Sequence, residues 1–301
     1  MNNVVHPAAD LARRALDRVV NPARLRDAEA LGRSVSGKTV LVTGASYGLG
    51  EATARELAAA GATVLLVART AERLEALAAE INSAGGTAFA YPADLTDEVA
   101  AGELAKAITE RHGALDVIVN NAGKSMRRSL HLQYDRFHDF ERTIGVNYLG
   151  PIRLLLGLLP PMREAGRGHI VNISTIGVRI APGPRWGAYQ ASKGAFDVWL
   201  RSVAPELRAD GVTVSTVYMA LIYTRMSAPT PIMRVLPGLY PAEAADIVAR
   251  AVVRQPRSIA PWWVWPADVM SAALPGPLDA FMRVWARVTR DTDAATAGSP
   301  R

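Results

Sequence analysis

From residue 39 onward the chain alternates between two patterns of apolar positions. Short continuous runs rich in Val, Leu and Ile end at Gly, Asn or Asp, and longer stretches carry apolar residues three and four positions apart. The continuous runs predict strands buried on both faces, and the wider spacing predicts amphipathic helices. Predicted strands cover 39–43, 62–68, 87–91, 117–120, 169–173 and 212–217, with helices over 51–60, 71–82, 97–111, 137–162 and 189–208. Strand and helix in alternation imply an α/β fold: a doubly wound parallel sheet in three α/β/α layers. The repeating unit spans residues 38–255. Residues 1–37 form an N-terminal helical extension whose stretch 11–20 has helical spacing, closed by Asn21-Pro22, which can start another helix. Residues 256–301 form an apolar C-terminal segment and tail.

Composition narrows the classes. The 301 residues include no cysteine, which excludes disulfides, thiolate metal sites and a cysteine nucleophile. None of the five histidines forms a ligand-like pair, so no metal is expected. The net charge of +6 is carried mostly by arginines scattered among acids, a distribution suited to a phosphate-bearing ligand rather than to nucleic acid. With neither a basic start leading into a long apolar run nor an uncharged apolar stretch of about 18 residues, a cytoplasmic protein is expected.

Two clusters carry chemistry. Between the first strand and its helix stands Thr43-Gly44-Ala45-Ser46-Tyr47-Gly48-Leu49-Gly50. Glycines there permit a tight turn and close backbone approach, and the helix N-terminus favours a pyrophosphate. Tyr189 and Lys193, four residues apart, share one helix face. A nearby ammonium lowers a phenol's pKa, so Lys193 is expected to prepare Tyr189 as an acid/base.

With Asp94-Leu95, Asn120-Asn121-Ala122-Gly123 and Tyr189-Gln-Ala-Ser-Lys193 following in order, the sequence resembles the short-chain dehydrogenase/reductase family over about residues 38–255. The resemblance implies a Rossmann-type fold and a cofactor site of Gly44, Ser46, Tyr47, Gly48, Leu49, Gly50, Asp94, Leu95, Asn121, Ala122 and Gly123. Tyr189 and Lys193 join them there, and Ile222 and Thr224 match positions at the nicotinamide amide. Arg69 and Thr70 stand at the second strand's end, where an NAD-preferring protein presents an acid, so NADP(H) is the expected cofactor. The family further implies Asn147 as a helix-bending residue that holds a relay water, and a substrate-binding hydroxyl after the 169–173 strand. Ser174 fits if Gly177 sets the alignment and Thr175 fits if the strand does; Ser174 is chosen, with Thr175 the rival.

Where the family carries Pro-Gly after the sixth strand, this chain has Met219-Ala220-Leu221, which changes the turn's backbone freedom. That segment, with Arg127-Arg128-Ser129-Leu130 and residues 134–143, resembles the reductase domain of bacterial fatty acyl-CoA reductases. A long-chain acyl or other lipid-derived carbonyl or alcohol is the implied substrate. Two other functions stay open: a hydroxysteroid or 3-oxoacyl reductase, and an NADP(H)-sensing protein without catalysis. The Trp-rich stretch 259–285 is expected to line an acyl tunnel, meet a membrane interface, pack between subunits or complete the core. A homo-oligomer paired through the 137–162 and 189–208 helices is expected as well.

Overall fold

The computed structural model describes residues 16, 19–180, 183–230, 233 and 236–296. Its strands are β1 (Thr39–Thr43), β2 (Thr63–Ala68), β3 (Thr87–Pro92), β4 (Val117–Asn120), β5 (Gly168–Thr175), β6 (Val212–Met219) and β7 (Ser258–Ile259). All pair in parallel in the order β3-β2-β1-β4-β5-β6-β7. The order reverses at β1, so a crevice opens between the carboxyl ends of β1 and β4, where open α/β sheets take their ligands.

Each strand is apolar throughout because both faces are covered. Val40 and Val42 face one core and Leu41 the other, and none of the three is exposed. The first core is closed by α1 (Ala28–Val35), α2 (Gly48–Ala59), α3 (Ala71–Ser83) and α8 (Pro241–Arg254). The second is closed by α4 (Glu98–His112), α6 (Gly150–Glu164) and α7 (Gly187–Ala209). Each fully buried Leu or Val contributes about 1.5–3 kcal/mol.

One departure from the sequence expectation has a local cause. The helix expected over 137–162 is α5 (His138–Ile144), a π-helical turn (Gly145–Leu149) and then α6. Asn147 lies within that turn, its side chain bonded at both ends to the Lys124 backbone, so the bend is built around it. Residues 138–164 are apolar and long enough to cross a membrane, but Leu154, Leu155, Leu158, Leu159 and Met162 of α6 are buried in the second core. Helix α1, within the extension expected to be helical, is capped by the Asp27 carboxylate on the Ala30 amide and buries Leu31 and Val35; of the amphipathic stretch 11–20, only residues 16, 19 and 20 lie within the described region. At the other end, β7 extends the sheet, followed by α9 (Val264–Ala273), α10 (Pro275–Val288) and the short α11 (Asp293–Thr296). The core is thus completed by a strand there, whereas α10 buries none of its residues.

Candidate active site

The glycine turn ends β1 at the crevice. Gly44 and Gly48 have φ of +67° and +62°, a conformation that glycine adopts freely. A Cβ on Gly50 would overlap the Gly44 carbonyl oxygen, and one on Gly44 would stand 2.9 Å from Ala122 Cα. The turn therefore lies flat against the end of β4 and offers the α2 N-terminus to a phosphate. Thr43 Oγ1 accepts from the Asn121 and Ala122 amides at 3.0 and 2.9 Å, and Asn121 Nδ2 donates to the Thr43 carbonyl at 2.9 Å. These bonds lock β1 to β4 at the crevice floor. Leu49 and Leu95 bury their side chains in the cores, leaving only backbone for a ligand there.

Cations gather on the β2 side. Arg69 is largely exposed and approaches Asp94 at 3.8 Å. Burial works to raise the Asp94 carboxyl, but the amide and hydroxyl of Thr96, with Arg69, hold it below the ordinary range. Thr70 is the N-terminal residue flanking α3. One turn into α3, Arg73 sets its guanidinium 5.2 Å from the Tyr47 ring centre, and Arg225 approaches the same ring at 4.2 Å. Arg73 Nε is buried without an acceptor among the described residues. Neither arginine stood out in the sequence; the four-residue step from Arg69 to Arg73 across a helix start was the available signal for the first. Thr224 meets the turn from the β6 side, its Cγ2 3.1 Å from the position of a Cβ on Gly48. Ile222 reaches the first core and bridges to Leu239, giving the loop that lacks Pro-Gly a strand-like anchor. Glycine turn, β2 cations and post-β6 loop thus enclose a cleft whose donors and close backbone fit a dinucleotide bearing a 2′-phosphate.

Tyr189 and Lys193 lie on the first turns of α7. Lys193 is buried, its Nζ donating to the Ile173 carbonyl at 3.1 Å. A Cβ on Gly123 would stand 3.2 Å from that nitrogen and 2.9 Å from Asn147 Oδ1, so the glycine lets the β4 end, the π turn and α7 converge. Asn147 Nδ2 also donates to Ser192 Oγ at 2.9 Å, and Ser192 Oγ donates to the Tyr189 carbonyl at 2.8 Å. Asn147, Ser192, Lys193 and Gly123 therefore form one connected group beneath Tyr189.

Two expectations change here. Ser174 Oγ is sealed from solvent and has no hydrogen-bond partner among the described residues. Thr175, the rival, bonds the Tyr189 hydroxyl through its own and accepts from the Gly177 amide at 3.2 Å. Adjacent strand residues face opposite ways, and it is Thr175 that faces the tyrosine. The second change concerns charge. Burial pushes Tyr189 up to about 12, against the pull of the Thr175 hydrogen bond, and burial takes Lys193 down to about 8. Desolvation is thus the largest influence on the phenol, and it is Thr175 rather than Lys193 that opposes it. Trp186, just before α7, tilts its ring 5.8 Å from that of Tyr189 and borders the same space.

The chain matches the short chain dehydrogenase family model over residues 38–234. It is 48% identical over 233 residues to a fatty acyl-CoA reductase of Acinetobacter baylyi, covering 77% of this chain and 79% of the relative. It is 39% identical over 249 residues to a fatty acyl-CoA reductase of Mycobacterium tuberculosis, covering 83% and 85%. Among solved structures it resembles a metagenomic short-chain oxidoreductase in complex with NADP at 36% identity and a TM-score of 0.64, covering 73% of this chain and 92% of the other.

Proposed function

The chain belongs to the short-chain dehydrogenase family, and we propose that it is an NADPH-dependent reductase of long-chain acyl carbonyls, fatty aldehydes or acyl-CoA thioesters. The likeness to two fatty acyl-CoA reductases carries the substrate class. The likeness to an NADP complex supports the cofactor, as do Arg69 and Thr70 at the end of β2 and Arg73 beside the Tyr47 ring.

In this reading the glycine turn Gly44–Gly50 and the α2 N-terminus take the diphosphate, and Ser46, Tyr47, Arg69, Thr70 and Arg73 surround the 2′-phosphate. Asp94 and Leu95 border the adenine, and Asn121, Ala122, Gly123, Ile222 and Thr224 border the nicotinamide half. When bound, the dinucleotide supplies the hydride that joins the carbonyl carbon. Tyr189 donates its proton to the carbonyl oxygen as charge builds there, and its burial keeps that proton in place until needed. Thr175, in place of Ser174, donates a second hydrogen bond to the same oxygen. Lys193 holds the ribose and returns a proton toward the Tyr189 hydroxyl by way of a water held at Asn147, while Ser192 ties Asn147 to the Tyr189 backbone carbonyl and so steadies the start of α7. Exposed Leu156 on α6 and Val198 on α7 support a homo-oligomer paired through those helices.

The test is NADPH oxidation by the purified protein against long-chain acyl-CoAs, fatty aldehydes and steroid or 3-oxoacyl ketones, beside Tyr189→Phe. The reading expects a primary alcohol or aldehyde product that vanishes in the variant. Turnover confined to the ketones would replace it with the hydroxysteroid or 3-oxoacyl reading.

A further inference from the structure

Helix α10 is amphipathic yet buries none of its 14 residues. Phe281, Val284, Trp285 and Val288 recur at the spacing of one helix face and are all exposed, with the Phe281 and Trp285 rings stacked at 6.4 Å between centres. On α9, Trp265 and Val269 are exposed too, Trp265 at 70%. Such an apolar area on a folded chain marks a contact surface.

The surroundings of this face indicate its partner. Arg283, Arg287 and Arg290 are exposed, and no ion pair engages them among the described residues. The nearby carboxylates of Asp268 and Asp291 are already paired, with Arg179 and Arg185. Free cations beside aromatic and aliphatic side chains match an interfacial helix, whose rings sit at the headgroup boundary and whose arginines meet lipid phosphates. A second copy fits less well, because a twofold contact would bring the same arginines of both copies together with only Asp279 of α10 to offset them.

The helix is also clamped to the rim of the active site. Arg185, in the loop that leads to Tyr189, donates to the Ala286 and Thr289 carbonyls, the latter at 2.7 Å. The Ser129 amide donates to Asp291 at 2.8 Å, and Arg127 donates to the Arg290 carbonyl at 2.8 Å. Arg179, four residues beyond Thr175, holds Asp268 of α9. Whatever α10 rests on is therefore beside the mouth of the catalytic cleft.

We propose that the exposed face of α10, continued by Trp265, docks this protein on an anionic lipid surface. Its position delivers long-chain substrate from the bilayer to Tyr189, a consequence that rests on the acyl-reductase reading; the docking itself does not.

The test is flotation of the full chain with phosphatidylcholine vesicles, with and without phosphatidylserine, measured apart from turnover. Wild type is expected to float with the anionic vesicles and to be released by salt. The double variant Phe281→Ser/Trp285→Ser is expected to lose at least about tenfold in binding, and Arg283→Gln/Arg287→Gln to lose its preference for phosphatidylserine. Both should keep wild-type turnover of a short, water-soluble aldehyde, which reads folding and chemistry independently. No flotation of wild type, or equal flotation of all three proteins, would overturn the proposal. So would an oligomer that falls to monomers in the Phe281→Ser/Trp285→Ser variant, since a second copy would then be what covers the face.

Discussion

Exchanging the two neighbouring hydroxyls at the end of β5 separates the strand-end geometry from the spacing to Gly177. Thr175→Ala removes the hydroxyl on Tyr189 and the acceptor of the Gly177 amide. If Thr175 donates to the developing oxyanion, its loss costs about 2.7–4 kcal/mol of transition-state stabilisation, or about 10²–10³ in kcat. Thr175→Ser restores the donor and should recover most of the rate. The Thr175 bond also draws the Tyr189 pKa downward, so Thr175→Ala should move the alkaline pH limb of alcohol oxidation further up, a shift that misfolding would not produce. Ser174→Ala removes a buried hydroxyl that bonds nothing. An unpaired buried hydroxyl costs about 1–3 kcal/mol, so this variant should be as stable as wild type or more so, with kcat within a few-fold. Steady-state NADPH oxidation with a fatty aldehyde across pH, beside chemical denaturation, gives all these quantities. An inactive Ser174→Ala together with an active Thr175→Ala would refute the assignment.

Arg73→Ala should raise KM for NADPH by about 10–100-fold, the worth of one charge-assisted contact, and leave KM for NADH nearly unchanged; equal effects on both cofactors would return Arg73 to a purely structural contact with Tyr47 and Glu51. His169 is buried and held down to about 4, by burial and by the charge of Lys38, against an ordinary 6.5. Its contribution is complete above pH 6.5 and is lost as pH falls toward 4, because the unfolded chain then takes up a proton that the fold refuses; the slope is about 1.4 kcal/mol per pH unit and the total about 3 kcal/mol. Denaturation midpoints of His169→Gln, which keeps a donor for Ser215 but does not titrate, should lose that part of the acid dependence.

The sheet was legible because its strands are buried on both faces, a condition that writes itself as unbroken Val-Leu-Ile runs. Strand β4 is found at the predicted residues, and β5 and β6 continue two residues past their predicted ends, into the polar Ser174-Thr175 and the Tyr218-Met219 pair that tertiary packing, not periodicity, holds in register. Glycines 44, 48 and 50 and the Tyr189/Lys193 pair were legible because a close turn and an acid beside an ammonium tolerate few residue types. Arg73, Arg225 and Trp186 come from separate elements that meet only in space, and each has the spacing of an ordinary surface residue. The helical character of residues 1–37 was legible, but the bounds of α1 were not, since two buried residues, Leu31 and Val35, give too little periodicity to mark where its eight residues begin and end.

Ser174 and Thr175 illustrate how chain chemistry and chain geometry diverge at a strand end. Both carry the required hydroxyl, and a one-residue shift in register reverses which of them faces the helix. Composition cannot resolve that choice, because the deciding quantity is the direction of a Cβ bond relative to α7. The same holds for Lys193, whose charge suggests a depressed phenol while its burial beneath Gly123 and Asn147 makes desolvation the larger effect. A Tyr189 held near 12 suits the reducing direction, since the proton it gives up is needed only once negative charge forms on the carbonyl oxygen. In the oxidising direction the same burial opposes formation of the phenolate that must act as base, so alcohol oxidation should demand a higher pH than carbonyl reduction.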